Sequence, residues 1–208
     1  RYRIRLANET LDAAAVVLTA DAATAAGLIK PFNDALFKHL SGILYASTAT
    51  VSLGFRREDV THPLNGFGFV APRSERKSIL ATTWSSTKFP GRAGSSHVLI
   101  RSFLGGAHQG EVVDLPEDEL IFRVQKELEP VLGIRGVPTV SRVFKWRAAN
   151  PQYNVGHGDR VAAIEKEALK HPGLFLAGAA YKGVGIPDCI EQGWETAERV
   201  FRFLISNG

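Results

Sequence analysis

Hydrophobic and polar positions change period several times along this chain, and each change marks an element. Residues 2–6 alternate polar and apolar as a half-buried strand does, and with residues 11–19 beyond the Ala7-Asn-Glu-Thr10 turn they predict a hairpin. Small residues at helical spacing follow over 21–29, and Pro31 interrupts them. A second short helix over 33–40 carries Phe32, Leu36, Phe37 and Leu40 on one side. Strand-like runs then occupy 46–55, 68–71, 78–84 and 97–104, divided by Pro and Gly turns, which predicts a sheet. Residues 116–132 return to helical spacing, with acidic residues at the entry and Leu120, Ile121, Val124, Leu128, Val131 and Leu132 as the apolar stripe. A strand at 139–146, a helix at 158–170, a short strand at 174–177 and a final helix complete the order. Ile190, Trp194, Ala197, Phe201 and Leu204 recur at helical spacing in that last helix, which predicts a buried face.

The alternation of elements gives an α+β to α/β organisation in two layers. The first thirty or so residues and the last sixty belong to one domain and the middle to another. Neither an internal repeat nor a low-complexity segment is present. A hydrophobic content of 45% and a charged content of 22% over 208 residues are those of a globular protein with a substantial core. The net charge of +4 is spread without a Lys/Arg block, so nucleic acid is not indicated, whereas a basic rim facing an acidic substrate or an anionic membrane surface is compatible. One cysteine makes no internal disulfide and no Cys/His spacing resembles a zinc site, which points to a reducing cytoplasm. No apolar run is long enough to span a bilayer, so any membrane contact would be peripheral. The chain contains no Met and starts in what reads as the middle of a hairpin, the mark of a processed, excerpted or incomplete product.

The stretch from Leu174 to Ile190 carries the most chemistry. An apolar run bounded by Gly173 and Gly178 reads as a buried strand, Gly183 and Gly185 allow close backbone approach, and Pro187 suits a first helical turn. The helix that follows directs unpaired N–H groups and partial positive charge at the turn, as an anion, dinucleotide or flavin site requires. A ligand-free tight turn satisfies the same glycines equally well. Hydrolytic chemistry is disfavoured, since Ser85-Ser86 lacks a nucleophile-elbow setting and His157, between Gly156 and Gly158, reads as a turn or cap residue. Cys189 reads as a small buried apolar residue rather than a reactive thiol.

Gly178 through Gly185-Ile-Pro-Asp-Cys-Ile190 resembles the C-terminal signature of the oxygen-dependent protoporphyrinogen and coproporphyrinogen oxidases, within the flavin amine-oxidase superfamily. Three further blocks agree in order: Gly66-Phe-Gly-Phe-Val-Ala-Pro-Arg-Ser-Glu75, Thr83-Trp-Ser-Ser-Thr-Lys-Phe-Pro-Gly-Arg92, and Trp146 through Asn150-Pro-Gln-Tyr-Asn-Val-Gly-His157. The opening strand, residues 13–20, is also similar to one in that family's flavin domain. The resemblance implies the C-terminal part of an FAD-binding domain at 1–30 and 143–208. It implies a substrate-binding mixed β-sheet domain with a packed helix at 31–142. It implies FAD as cofactor, held by Gly183, Val184, Gly185 and Ile186 with Trp146 near the ring, and a tetrapyrrole substrate seated by Lys88, Phe89 and Leu104, with Lys88 or Arg92 meeting a propionate. For Trp146, Phe89 and Leu104 ordinary core packing is the alternative, and for Arg92 a solvated charge.

The activity implied is FAD-dependent oxidation of protoporphyrinogen IX or coproporphyrinogen III to the porphyrin with O2 as acceptor, in haem biosynthesis. No Gly-x-Gly-x-x-Gly turn occurs, so the N-terminal half of such an enzyme is a missing partner, and this chain alone is expected to bind FAD weakly and to lack turnover. A homodimer is left open. Two other readings remain: another amine-oxidase-type flavoenzyme such as a carotene desaturase or amine oxidase, and a non-enzymatic tetrapyrrole-binding or assembly module. The Pro72-Arg-Ser-Glu75 and Trp84-Ser-Ser blocks favour the porphyrinogen reading.

Overall fold

A computed structural model describes residues 1–207. In chain order its elements are β1 (Tyr2–Arg5), β2 (Thr10–Ala13), β3 (Val16–Leu18), α1 (Ala22–Ile29), α2 (Asp34–Ser41), β4 (Tyr45–Arg56), β5 (Gly68–Val70), β6 (Ile79–Trp84), α3 (Ser85–Lys88), β7 (His97–Gly105), α4 (Glu117–Leu132), β8 (Val140–Pro151), α5 (His157–Ala168), β9 (Leu174–Leu176) and α6 (Ile186–Asn207). They form two compact units, one of residues 1–44 and 151–208, the other of residues 45–150. The breaks fall after Leu44 and Asn150 rather than after residues 30 and 142. Helix α2 packs on α1 and α5 and so stays with the terminal segments, while β8 completes the sheet that β4 begins.

The central unit is a five-stranded sheet in the order β5-β6-β7-β4-β8 with α4 on one face. Strand β4 alternates Ala49, Val51, Leu53 and Phe55 with Thr48, Thr50, Ser52 and Gly54, which suits a sheet with one dry face. Its antiparallel partner β7 is registered with Leu53 opposite Ile100 and Ala49 opposite Leu104. The apolar set closes against Leu120, Val124, Leu128 and Leu132 of α4. Two polar residues share this dry face, Thr82 and Ser102, and satisfy each other through a 3.0 Å hydroxyl–hydroxyl hydrogen bond. Helix α4 starts with Glu117, Asp118 and Glu119 at its positive end and stops at Gly133, whose φ of +59° is left-handed. Val131, placed on the apolar stripe by spacing, is instead 47% exposed, beside a hollow that it lines with Phe69 and Val70.

In the terminal unit the second limb of the expected hairpin divides. Residues 10–13 pair with β1, whereas Val16–Leu18 leave it and run parallel to β9. Asp21 caps α1, accepting from the Thr24 amide at 2.9 Å and the Thr24 hydroxyl at 2.6 Å. Those two bonds hold its carboxyl below the ordinary aspartate range, so the cap stabilises the fold at neutral pH and is lost as pH falls through the lowered native value.

Helix α6 corrects an expectation. It buries Gln192 and Thr196 and packs on β9, leaving Ile190, Trp194, Phe201 and Leu204 exposed. Helical spacing shows which face seeks cover but not whether the same chain supplies it. Among the described residues no helix is long and apolar enough to cross a membrane.

The dry face of the sheet sets the stability of the central unit. Leu104→Ala is expected to destabilise it by about 2–5 kcal/mol in urea unfolding followed by Trp fluorescence; a loss below about 1 kcal/mol would place Leu104 outside the core.

Candidate functional site

The period of two in a strand places a second set of β4, β6, β7 and β8 side chains on the face opposite α4. On β7 these are Leu99, Arg101 and Phe103; on β4, Thr50 and Ser52; on β6, Ala81 and Thr83, by the registers Phe103–Thr50 and Phe103–Ala81. Strand β8 obeys the same parity. Val143 packs on the core, Lys145 Nζ donates to the Leu115 carbonyl and Arg147 pairs with Asp114, which leaves Phe144 and Trp146 on the other face, each 54% exposed. Just beyond Trp146 the backbone kinks at Ala148, held at a φ of +44° while its amide donates to Ser47 Oγ at 2.9 Å. For a residue with a Cβ this conformation is strained, of order 1 kcal/mol.

Arg101 stands in the middle of this open face. Its Nε donates to Ser52 Oγ at 3.3 Å, and it forms no ion pair among the described residues. The result is a partly aromatic wall carrying two cations, Arg101 and, by the same parity of β8, Arg142, neither of them in an ion pair among the described residues.

The residues singled out from sequence separate on this geometry. Trp146 lies on the open face. Leu104 does not: it is wholly buried against α4 and is no wall for a ligand, a place that Phe103, one position earlier and on the opposite face, can fill. Lys88 and Phe89 close the short helix α3, with Lys88 Nζ 5.5 Å and Arg92 Cζ 5.8 Å from the Phe89 ring centroid, so both candidate rim cations gather on one aromatic ring. Ser86 Oγ accepts from the Leu99 amide and is structural. Arg101, Phe103 and Phe144 were missed, although a charge set between Ile100 and Phe103 in a strand pattern is a legible signal.

The glycine turn of the terminal unit is built around Tyr153. Its hydroxyl accepts from the Gly183 amide at 2.8 Å and donates to the Ala179 carbonyl at 2.6 Å, tying the two ends of the turn. Burial, the larger effect, pushes this phenol above its ordinary pKa against the lowering influence of the Gly183 amide, so it keeps the proton it donates. His157 stacks on Tyr153 with ring centroids 3.9 Å apart, its Nε2 lying 3.0 Å from the Tyr181 carbonyl oxygen, a packing and bracing role. Gly183, at φ +147°, has no room for a Cβ, which would come within 2.5 Å of Asp188. Asp188 Oδ2 reaches back to accept from the Gly185 amide at 3.1 Å, one half of a capping box. Cys189 is only partly buried, its Sγ 3.8 Å from the Gly183 carbonyl.

Asp188 therefore fills the inner side of the turn and places a negative charge beside the positive helix end, which weakens that end as an anion seat. The outer side is different. The amides of Val184, Ile186 and Asp188 have no acceptor among the described residues, and the Val184 and Ile186 side chains are 61% and 78% exposed. Free donors beside bare apolar groups suit the edge of a planar heterocycle with carbonyl and nitrogen acceptors better than a phosphate.

The sequence profile of the flavin-containing amine oxidoreductases matches residues 1–201. The chain belongs to this family. Coproporphyrinogen III oxidase of Bacillus subtilis (strain 168) is 36% identical over 207 residues, which is 99% of this chain and 44% of that protein. Protoporphyrinogen oxidase 1, chloroplastic, of Spinacia oleracea is 36% identical over 200 residues, covering 91% and 35%. A crystal structure from Exiguobacterium sp. 255-15, described provisionally as a protoporphyrinogen oxidase, superposes with a TM-score of 0.85 at 30% identity, over 96% of this chain and 44% of that one. Reduced UDP-galactopyranose mutase shares the fold alone, with a TM-score of 0.63 at 11% identity over 85% and 38%. The chain thus spans less than half the length of these relatives. As a member of this family the chain carries both the glycine turn and the sheet unit in one sequence.

Tyr153→Phe deletes both bonds that close the turn. Amide hydrogen exchange at Gly183 and its neighbours is expected to rise about fivefold or more, as the loss of about 1 kcal/mol implies; unchanged exchange would show that the phenol does not hold the turn.

Proposed function

We propose that this chain is the part of an FAD-dependent porphyrinogen oxidase that seats the tetrapyrrole and contributes the C-terminal edge of the flavin site. The parent reaction is oxidation of protoporphyrinogen IX or coproporphyrinogen III to the porphyrin with O2 as acceptor, a step of haem biosynthesis. The observation that carries the reading is the open face of the sheet: Phe103, Phe144 and Trp146 around an Arg101 that has no acidic partner. A porphyrinogen is a wide apolar macrocycle with carboxylate arms, and it needs a flat hydrophobic wall with a cation set into it. The names of the relatives at 36% identity support the same substrate class.

Residues 183–186 fit a flavin on the outer side of the turn, through the free Val184 and Ile186 amides and their exposed side chains. FAD, when bound, would supply the oxidation in successive two-electron steps. The chain's own residues do the rest: Phe103, Phe144 and Trp146 exclude water from one side of the macrocycle, Arg101 holds a propionate with Ser52 steadying its guanidinium, and Lys88, Phe89 and Arg92 line a cationic rim. No side chain is assigned as a proton carrier. The exposed stripe of α6 is the surface we assign to the portion of the relatives that this chain does not span, which would complete the flavin's seat.

The test is binding of coproporphyrin III to the purified chain, read by quenching of porphyrin and Trp fluorescence. Arg101→Gln is expected to weaken binding about tenfold, a charge-assisted contact discounted for its exposure. Equal affinity in wild type and variant, with both folded by circular dichroism, would remove the tetrapyrrole from this face.

A further inference from the structure

At the end of the sheet where β5 turns into β6 and β7 leaves, the central unit contains a cavity of about 540 Å³ that shares none of the open-face residues described above. Arg73, Arg76, Lys77 and His108 line it together with Pro72 and Leu80, and no carboxylate does. Glu75 and Glu127 line an adjoining, smaller hollow that shares Ala71, Pro72, Lys77 and Ile79 with the cavity, and neither carboxylate pairs with Lys77. None of Arg73, Arg76 and Lys77 forms an ion pair among the described residues, although eight such pairs exist elsewhere in the chain. Three cations held at one concavity without counter-charge repel one another, and an anion relieves that repulsion.

The loop that bears them is fixed rather than loose. Glu127 of α4 accepts from the Ser78 amide at 2.8 Å and the Ile79 amide at 3.0 Å, clamping its root. Gln109 donates to the Lys77 carbonyl at 3.3 Å from the opposite wall. Arg76 sits at a left-handed φ of +51°, closing a one-turn helix at residues 73–75 whose carbonyl at Arg73 accepts from the Arg76 amide. The opposite wall turns through Gly105 and Gly106, at φ +93° and +78°. A Cβ on Gly106 would meet Leu80 at 3.2 Å, so the wall is kept bare where the cavity needs its width.

We propose that this cavity is a binding site for a compact polyanion, a small molecule bearing two or more carboxylate or phosphate groups, separate from the tetrapyrrole face and independent of the porphyrinogen reading. Its volume is in the small-molecule range. Two arginines favour bidentate pairing with planar or tetrahedral anionic groups, and Lys77 adds a point charge. A monoanion would leave two of the three cations unmatched.

Isothermal titration of the whole chain with inorganic pyrophosphate and, separately, with citrate tests the site. Binding of either at low salt, weakened at least tenfold in the Arg73→Gln/Arg76→Gln/Lys77→Gln variant, is the expected result; the arm that binds tells phosphate from carboxylate. A charge-matched variant, Arg56→Gln/Lys126→Gln/Arg135→Gln, is expected to bind within about twofold of wild type. No binding of either anion, or equal loss in the two triple variants, would overturn the proposal, the second because it would mark diffuse attraction to a basic protein.

Discussion

The antiparallel pairing of residues 48–56 with residues 105–97 is the constraint on which the central unit rests. Once Leu53 faces Ile100, every side chain of β4 and β7 is committed to one side or the other, and a shift of one residue would exchange the two sets completely. The apolar set is covered by Leu120, Val124, Leu128 and Leu132 of α4 together with Val112 and Val113 of the preceding turn. Burial on one face therefore determines what the other face displays. Arg101, Phe103 and Trp146 owe their exposure to Ile100, Leu104 and Val143 being needed underneath. The surface we assign to the tetrapyrrole is thus the complement of the core.

That dependence explains what could be read from the sequence. The strands at 46–55, 78–84 and 97–104 and the helix at 116–132 were legible because their periods of two and 3.6 are sustained. The side of the sheet was not legible at Ser102-Phe103-Leu104, where three consecutive residues are all tolerable inside. Leu104 reads as a ligand wall because nothing local marks Ser102 as the buried member of the alternation, a place where its hydroxyl is satisfied by Thr82. On α6 spacing identified the apolar stripe correctly and burial incorrectly, since cover is a tertiary property. The division of the chain at Leu44 and Asn150 likewise depends on α2 lying against α1 and α5, a contact with no sequence marker.

The glycine turn shows the same limit at the scale of single atoms. Gly183 and Gly185 announced a tight strand-to-helix junction, and one exists. What they did not announce is that Asp188 would occupy its inner side and take the Gly185 amide. The helix end is in consequence less positive than a bare N-terminus, and the groups it presents outward are unpaired amides next to Val184 and Ile186. This arrangement suits a neutral, flat heterocycle edge, and places the electrostatic work on the outer amides rather than on the whole dipole. Tyr153, legible only as part of a motif, and His157, legible as a turn or cap residue, are the braces that give the turn its shape.

Hydroxyl-radical footprinting of the chain with and without coproporphyrin III tests the two-faced sheet most directly. The account predicts that Phe103, Phe144 and Trp146 are oxidised in the free chain and protected by the porphyrin, while Phe55 and Leu104 are unreactive in both states. Oxidation of Phe55 and Leu104 in the free chain, or labelling of Phe103 and Trp146 that the porphyrin leaves unchanged, would contradict it.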